Sequence, residues 1–324
     1  NSQPLSFIDN FEQALDLSNG EYFIILGDDD STTKDIVKVV EWMQSNNIES
    51  VACSKVIDYI WPNEKIEKYK DGLLHIPVYS NSMKEVDCSV QIENLIKNGF
   101  LAYQNFDLPR TYHGIIKRSC MEEVRRLSGR FFGGLTPDIY STIALACVVK
   151  RHVIIDYPFS IAGACPASAT VNATVGGHSG RLNDAPHFRN RGEYQWESSI
   201  PSYYSVETIW AESAIKALKD IGKEDLLKDF NNYKLYVYSI LLNRKYILNL
   251  AVSETIKIHK NLSLNIVNHS MKLIFTFEKV VLSVLFNRLF NKNKKIIQNF
   301  FINGVSNLKS AKIILGEKLG RINL

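Results

Sequence analysis

Three consecutive aspartates, Asp28, Asp29 and Asp30, follow an apolar run over residues 21–26. Adjacent carboxylates repel one another, so a cation among them offsets that cost. At the end of a strand in an α/β sheet, a ligand is the expected neighbour. A Mg2+ or Mn2+ ion held there would bridge to phosphate oxygens. A plainer role competes, because Asp30 or Ser31 would also serve as N-cap for a helix over residues 34–44. An EF-hand is excluded: counting from Asp28, Thr33 stands where the loop needs Gly and Val39 where it needs Glu.

The wider context of the triplet is specific. Asn10, Ala14, Ser18, Gly20-Glu21-Tyr22, the run 23–26 and Asp28-Asp29-Asp30 together resemble the middle of inverting GT-A glycosyltransferases of the large bacterial polysaccharide family. That resemblance implies a GT-A-like, Rossmann-like mixed sheet with flanking helices. It also implies a nucleotide-sugar donor contacted by Asn10, Asp28 and Asp29, with the metal on Asp29 and Asp30. The family's common form carries Asp where this chain has Gly27, which leaves open which two aspartates face the metal; Asp29 aligns best.

A second stretch, residues 131–146, resembles the family's Gly-containing turn and the helix bearing its catalytic base. Here the base would be Asp138, a single acid where relatives often have two. A base must be ionised and within reach of the acceptor hydroxyl. A helix N-terminus would hold Asp138 ionised through its dipole and free N–H groups. The same residue in a first helical turn also serves stability alone.

A Gly- and Ser-rich segment, 163–201, supplies the remaining candidates. His178 is a possible third metal ligand by analogy with relatives. Arg181, with Arg189 and Arg191, is suited to a diphosphate, since guanidinium pairs well with phosphate. The bland alternative is a solvated polar loop. Trp196 and Trp210 could stack on a sugar, but flanking-helix tryptophans are more often core.

The elements that must position these groups alternate. Strands are expected over residues 21–26, 50–57, 111–117 and 152–156. Helices are expected over 34–44, from a Ser119/Glu122 capping box, and from Thr136 as N-cap with Pro137 at the first helical position. Such alternation predicts an α/β sheet. From Pro201 onward the pattern is helical, over 206–221, 223–231 and 233–252. We therefore expect a catalytic domain over 1–200 and a mainly helical, basic region over 201–324.

Composition is that of a globular chain, with 45% hydrophobic and 22% charged residues among 324. Charge is uneven: residues 251–324 hold twelve Lys or Arg and three Asp or Glu, a net of +9, which leaves −5 for the rest of a +4 chain. Lys292, Lys294 and Lys295 beside Leu289 and Phe290 suit an anionic membrane surface, and equally the charged solvent face of a helical subdomain. No nucleic-acid motif appears, so nucleic acid is not an expected partner. The five cysteines have no metal-ligand spacing and read as reduced thiols. No run reaches the roughly 18 apolar residues of a spanning helix. Residues 273–290 are interrupted by Glu278, Lys279, Asn287 and Arg288. The expected location is cytoplasmic, on the inner face of the membrane.

The resemblance covers residues 10–164. Relatives begin several strands earlier, so the chain is expected to lack those strands and to expose an apolar sheet edge. The implied reaction is an inverting, metal-dependent transfer of a sugar to a saccharide, or lipid-linked saccharide, of a surface polysaccharide such as O-antigen. A GT-A-like nucleotidyltransferase and a non-catalytic scaffold are the alternatives.

Overall fold

The computed structural model describes residues 4–166, 178–261, 266–290 and 300–324. Two mixed five-stranded sheets carry the α/β part. The first is ordered β1 (Tyr22–Phe23), β7 (Gly114–Lys117), β3 (Ser50–Cys53), β8 (His152–Ile155) and β6 (Met83–Val86). Only β3 and β8 run parallel. Alternation along the strands sends Val51, Ile115, Val153 and Ile155 to one face, against Val39 and Met43 of α2 (Ile36–Ser45). Ile116 points to the other face, against α1 (Phe7–Leu17), α4 (Arg118–Ser128) and α5 (Pro137–Val148).

The second sheet is ordered β12 (Phe300–Asn303), β5 (Leu73–Ile76), β4 (Ile57–Ile60), β9 (Ser160–Ala164) and β2 (Ser31–Thr32). Its apolar face is covered by α9 (Leu308–Lys318), through Ala311 and Leu315. A third core joins α3 (Cys88–Lys97), α5, α6 (Val206–Asp220) and α7 (Asn232–Asn261), with α8 (Ile266–Phe290) against it. A two-stranded ribbon pairs β10 (Gly180–Arg181) with β11 (Tyr203–Tyr204).

Several expectations need correction. The strand over 21–26 shrinks to β1 plus a bridge at Ile25, and it is half-buried because it lies at a sheet edge. Residues 50–57 split into β3 and the start of β4, which belong to different sheets. The helix expected at 34–44 begins at Ile36, so neither Asp30 nor Ser31 caps it; Ser31 pairs with Ile161 in the second sheet instead. The capping box at Ser119 and Glu122 does not form. α4 already starts at Arg118, and Glu122 pairs with Arg118 and Arg125. Thr136 and Pro137 do start α5, but the Thr136 side chain makes no cap bond. The residues 223–231 form a 3-10 segment over Glu224–Asp229 rather than an α-helix. α7 runs past Val252 and breaks its helical geometry at Ile247.

Elements on either side of residue 200 also pair with one another. β12 adds to β5 at the edge of the second sheet, and the chain end returns to the first half. Gly320 accepts from the Tyr157 hydroxyl at 3.1 Å and donates to Tyr79 at 2.8 Å. All five cysteines are unpaired, consistent with reduced thiols. Among the described residues no helix is long and apolar enough to cross a membrane.

Candidate functional site

The aspartate turn lies between β1 and β2, against Gly163 of β9. Each carboxylate meets a different environment. Asp28 is exposed. Asp30 turns inward, its side chain 1% exposed. Its Oδ2 accepts from the Gly27 amide at 2.6 Å and from the Tyr112 hydroxyl, and its Oδ1 accepts from the Gly163 amide at 2.7 Å. The Nε2 of His113 lies 3.7 Å from the same Oδ2. Asp29 lies between: its Oδ2 accepts from the Cys165 amide at 3.1 Å, its carbonyl accepts from Trp61 Nε1 at 3.1 Å, and among the described residues its Oδ1 accepts nothing.

Two glycines permit this packing. A Cβ on Gly163 would stand 1.8 Å from the Asp29 carbonyl oxygen. A Cβ on Gly27 would stand 2.9 Å from Asp30 Oδ2, 3.0 Å from the Tyr112 hydroxyl and 3.1 Å from Asp29 Oδ1. The space beside Gly27 is thus filled by Asp30, Tyr112 and Asp29.

The turn at residues 110–113 joins the aspartates to α5. Ile25 donates to the Thr111 carbonyl at 2.8 Å. The Thr111 hydroxyl meets Ser141 of α5 at 2.9 Å. His113 has φ 62°, a strained conformation for a side-chain-bearing residue, and its Nδ1 is 2.7 Å from Ser160 Oγ. Burial lowers the His113 pKa against the opposing pull of Asp30. The Tyr112 hydroxyl is pushed well above its usual pKa, first by burial, then by its bond to Asp30 and the charges of Asp29, Asp30 and Asp138. The link between the two acidic motifs is this turn: Tyr112 bonds Asp30, and Thr111 bonds Ser141, which donates to the Asp138 carbonyl at 3.1 Å.

Asp138 occupies the first turn of α5, half-buried, and its Oδ2 accepts from Tyr103 at 3.0 Å. Tyr103 in turn packs edge-on against Trp210, with ring centroids 4.8 Å apart. The expectation that the helix start holds Asp138 ionised is corrected in sign: burial raises its pKa, and the Tyr103 bond and the backbone amides only partly offset this. A base with a raised pKa accepts protons better once ionised.

The other expected residues lie elsewhere. Asn10 is exposed on α1. His178 pairs through Nδ1 with the Tyr204 hydroxyl at 2.6 Å, beside His187 at 6.4 Å between ring centroids. Arg181 is exposed on β10. No contact among the described residues joins Asn10, His178 or Arg181 to Asp29 or Asp138. Arg191 donates from Nη2 to the Gly134 carbonyl at 2.9 Å, in the turn before α5. Trp196 and Trp210 pack against the helical core. Leu289, Phe290, Lys292, Lys294 and Lys295 fall outside what the structure describes at side-chain level.

Sequence reasoning did not single out Tyr103, Tyr112, His113 and Gly163. Residues 111–117 read as one strand, although only Gly114–Lys117 is one. The signal available was Pro109 and Gly114 bracketing a Tyr-His pair, which is turn composition.

As a metal site, the turn fits through Asp29 Oδ1 and the exposed Asp28, since Mg2+ commonly takes one or two carboxylates and completes its shell with waters and phosphates. Asp30 does not fit, because protein donors occupy its oxygens. Among the described residues no three His, Cys, Asp or Glu side chains converge on a metal position. The chain matches no known family profile, and no curated protein sequence matches it significantly.

Proposed function

We propose that the chain is a GT-A-like glycosyltransferase that moves a sugar from a nucleotide-sugar donor to a saccharide or lipid-linked saccharide. The observation that carries this reading is that one short turn touches two acidic motifs more than a hundred residues apart: Tyr112 bonds Asp30, and the neighbouring Thr111 bonds Ser141, whose hydroxyl donates to the Asp138 carbonyl in the first turn of α5. Mixed sheets flanked by helices, with the acids at strand and helix ends, support it further.

In this reading Asp29, with Asp28, would hold a divalent cation, Mn2+ or Mg2+, which when bound neutralises charge on the donor diphosphate. Asp30 and Tyr112 fix the shape of the turn. The Asp138 carboxylate accepts the proton of the acceptor hydroxyl. That oxygen attacks the anomeric carbon as the bond to the diphosphate oxygen breaks, and configuration inverts. Tyr103 orients Asp138 and stabilises its ionised form.

Calorimetric titration with Mn2+ and a panel of nucleotide sugars tests the donor site, with Asp29→Ala as the control. Metal-dependent binding that Asp29→Ala loses is the expected outcome. Donor turnover releasing nucleoside diphosphate supports transfer, and pyrophosphate release would point to nucleotidyl transfer instead. One observation favours a scaffold as the second reading: Asp30 is consumed by the fold, leaving two carboxylates at the turn. A folded chain that neither binds nor hydrolyses any donor would favour it, and the same titration on a longer chain carrying the expected N-terminal strands would then decide between transferase and scaffold.

A further inference from the structure

α8 packs inward through Leu273 and the buried Val280, yet its opposite side is also apolar. Met271, Ile274, Phe275 and Leu282 are 65%, 60%, 57% and 64% exposed. At 100° per residue these four fall within about 100° of one another and face away from Val280. A helix on a solvated surface normally carries polar residues there. Large apolar side chains in a row mark an interaction surface.

Charge narrows the choice of partner. The two longest helices, α7 and α8, hold eight Lys and Arg against two Glu, a net of +6. Lys272 and Lys279 line one side of the apolar row, both exposed, with the Lys272 ammonium 5.7 Å from the centre of the Tyr233 ring of α7. The Lys279 ammonium lies 4.2 Å from the centre of the Phe275 ring, so its stem lies along the apolar surface with its charge at the tip. Glu278 is the one acid on this face. α7 repeats the pattern after its break, with Leu248, Val252 and Ile256 exposed at 44%, 39% and 48%, and Ala251 and Ile258 buried.

We propose that the outer face of α8 lies in the headgroup region of an anionic lipid bilayer, with Met271, Ile274, Phe275 and Leu282 inserted and Lys272 and Lys279 on the lipid phosphates. Apolar burial supplies the attachment, and the lysines add attraction to the anionic surface. This docking is independent of donor chemistry, so it can fail while the glycosyltransferase reading stands, and the reverse.

Cosedimentation of the full chain with vesicles tests it. The chain should pellet with phosphatidylglycerol-rich vesicles, less with pure phosphatidylcholine, and less again at high salt. Phe275→Asp with Leu282→Asp should weaken binding at least roughly tenfold while leaving the melting temperature unchanged, because both side chains are exposed. Glu278→Lys should strengthen it. A wild-type chain left in the supernatant overturns the proposal, as does a double variant that pellets equally well. A wild-type dimer in sedimentation velocity that the double variant dissolves would also overturn it, assigning the face to a second copy.

Discussion

Asp30 accepts three hydrogen bonds from groups on three segments, the Gly27 amide, the Tyr112 hydroxyl and the Gly163 amide, and none of its acceptor capacity faces outward. Asp29 accepts one amide bond on its carboxylate and keeps Oδ1 open. Two neighbouring residues of the same type should therefore fail differently. Asp30→Ala strands buried donors and should cost about 2–4 kcal/mol in urea denaturation. Asp29→Ala should cost about 1 kcal/mol and act on metal and donor binding instead. Equal destabilisation by the two substitutions would remove the distinction. The triplet was legible as a cation-binding pattern, but three identical letters carry no direction. Which carboxylate turns inward is set by Tyr112 and Gly163, far along the chain, whose approach no local pattern announces.

At the scale of elements, β9 and the aspartate turn touch so closely that a glycine is required. Gly163→Ala places a methyl group 1.8 Å from the Asp29 carbonyl, with backbone as the obstacle. The expected loss is about 3 kcal/mol or more, together with the donor-site geometry. Gly129 is the contrast: it closes α4 at φ 80° and a Cβ there meets nothing within 4 Å. Gly129→Ala should cost only about 1 kcal/mol, from backbone strain. Thermal melts of both variants check the pair. The same logic explains which elements could be read. Pro137 at the first position of α5 and the apolar run of β8 are local signals, and both hold. The capping box at Ser119 fails because Lys117 is still paired as strand and Arg118 already turns as helix, so β7 passes directly into α4. The return of β12 to β5 joins residues more than two hundred apart, beyond any periodicity.

For the whole molecule, stability is tied to pH through buried groups outside the proposed site. Glu212 on α6 is 1% exposed, its Oε1 accepts from Tyr194 at 2.5 Å, and its Oε2 has no partner. Burial pushes its pKa to about 7; Tyr194, Arg191 and Lys216 lower it, and Glu197 raises it. The folded chain therefore holds a proton that the unfolded chain releases near pH 4.5, and stability should fall as pH rises from about 4.5 to 7. His152 works in the opposite direction: burial lowers its pKa to about 4, so stability falls as pH drops from 6.5 to about 4. His187 also shifts down to about 4 and acts with the same sign. The two histidines outweigh the single glutamate between pH 4.5 and 6.5, while Glu212 alone acts from there to 7, which places the maximum contributed by these groups near pH 6.5. Glu212→Gln removes the alkaline limb. It should stabilise the chain by about 3 kcal/mol at pH 8 and by almost nothing at pH 4, the free-energy equivalent of a carboxyl raised by burial to about 7. Urea denaturation of both proteins across this range reads the difference directly. Parallel curves for the wild type and Glu212→Gln would mean that Glu212 is ionised in the folded chain at neutral pH, with Arg191 as its compensating charge.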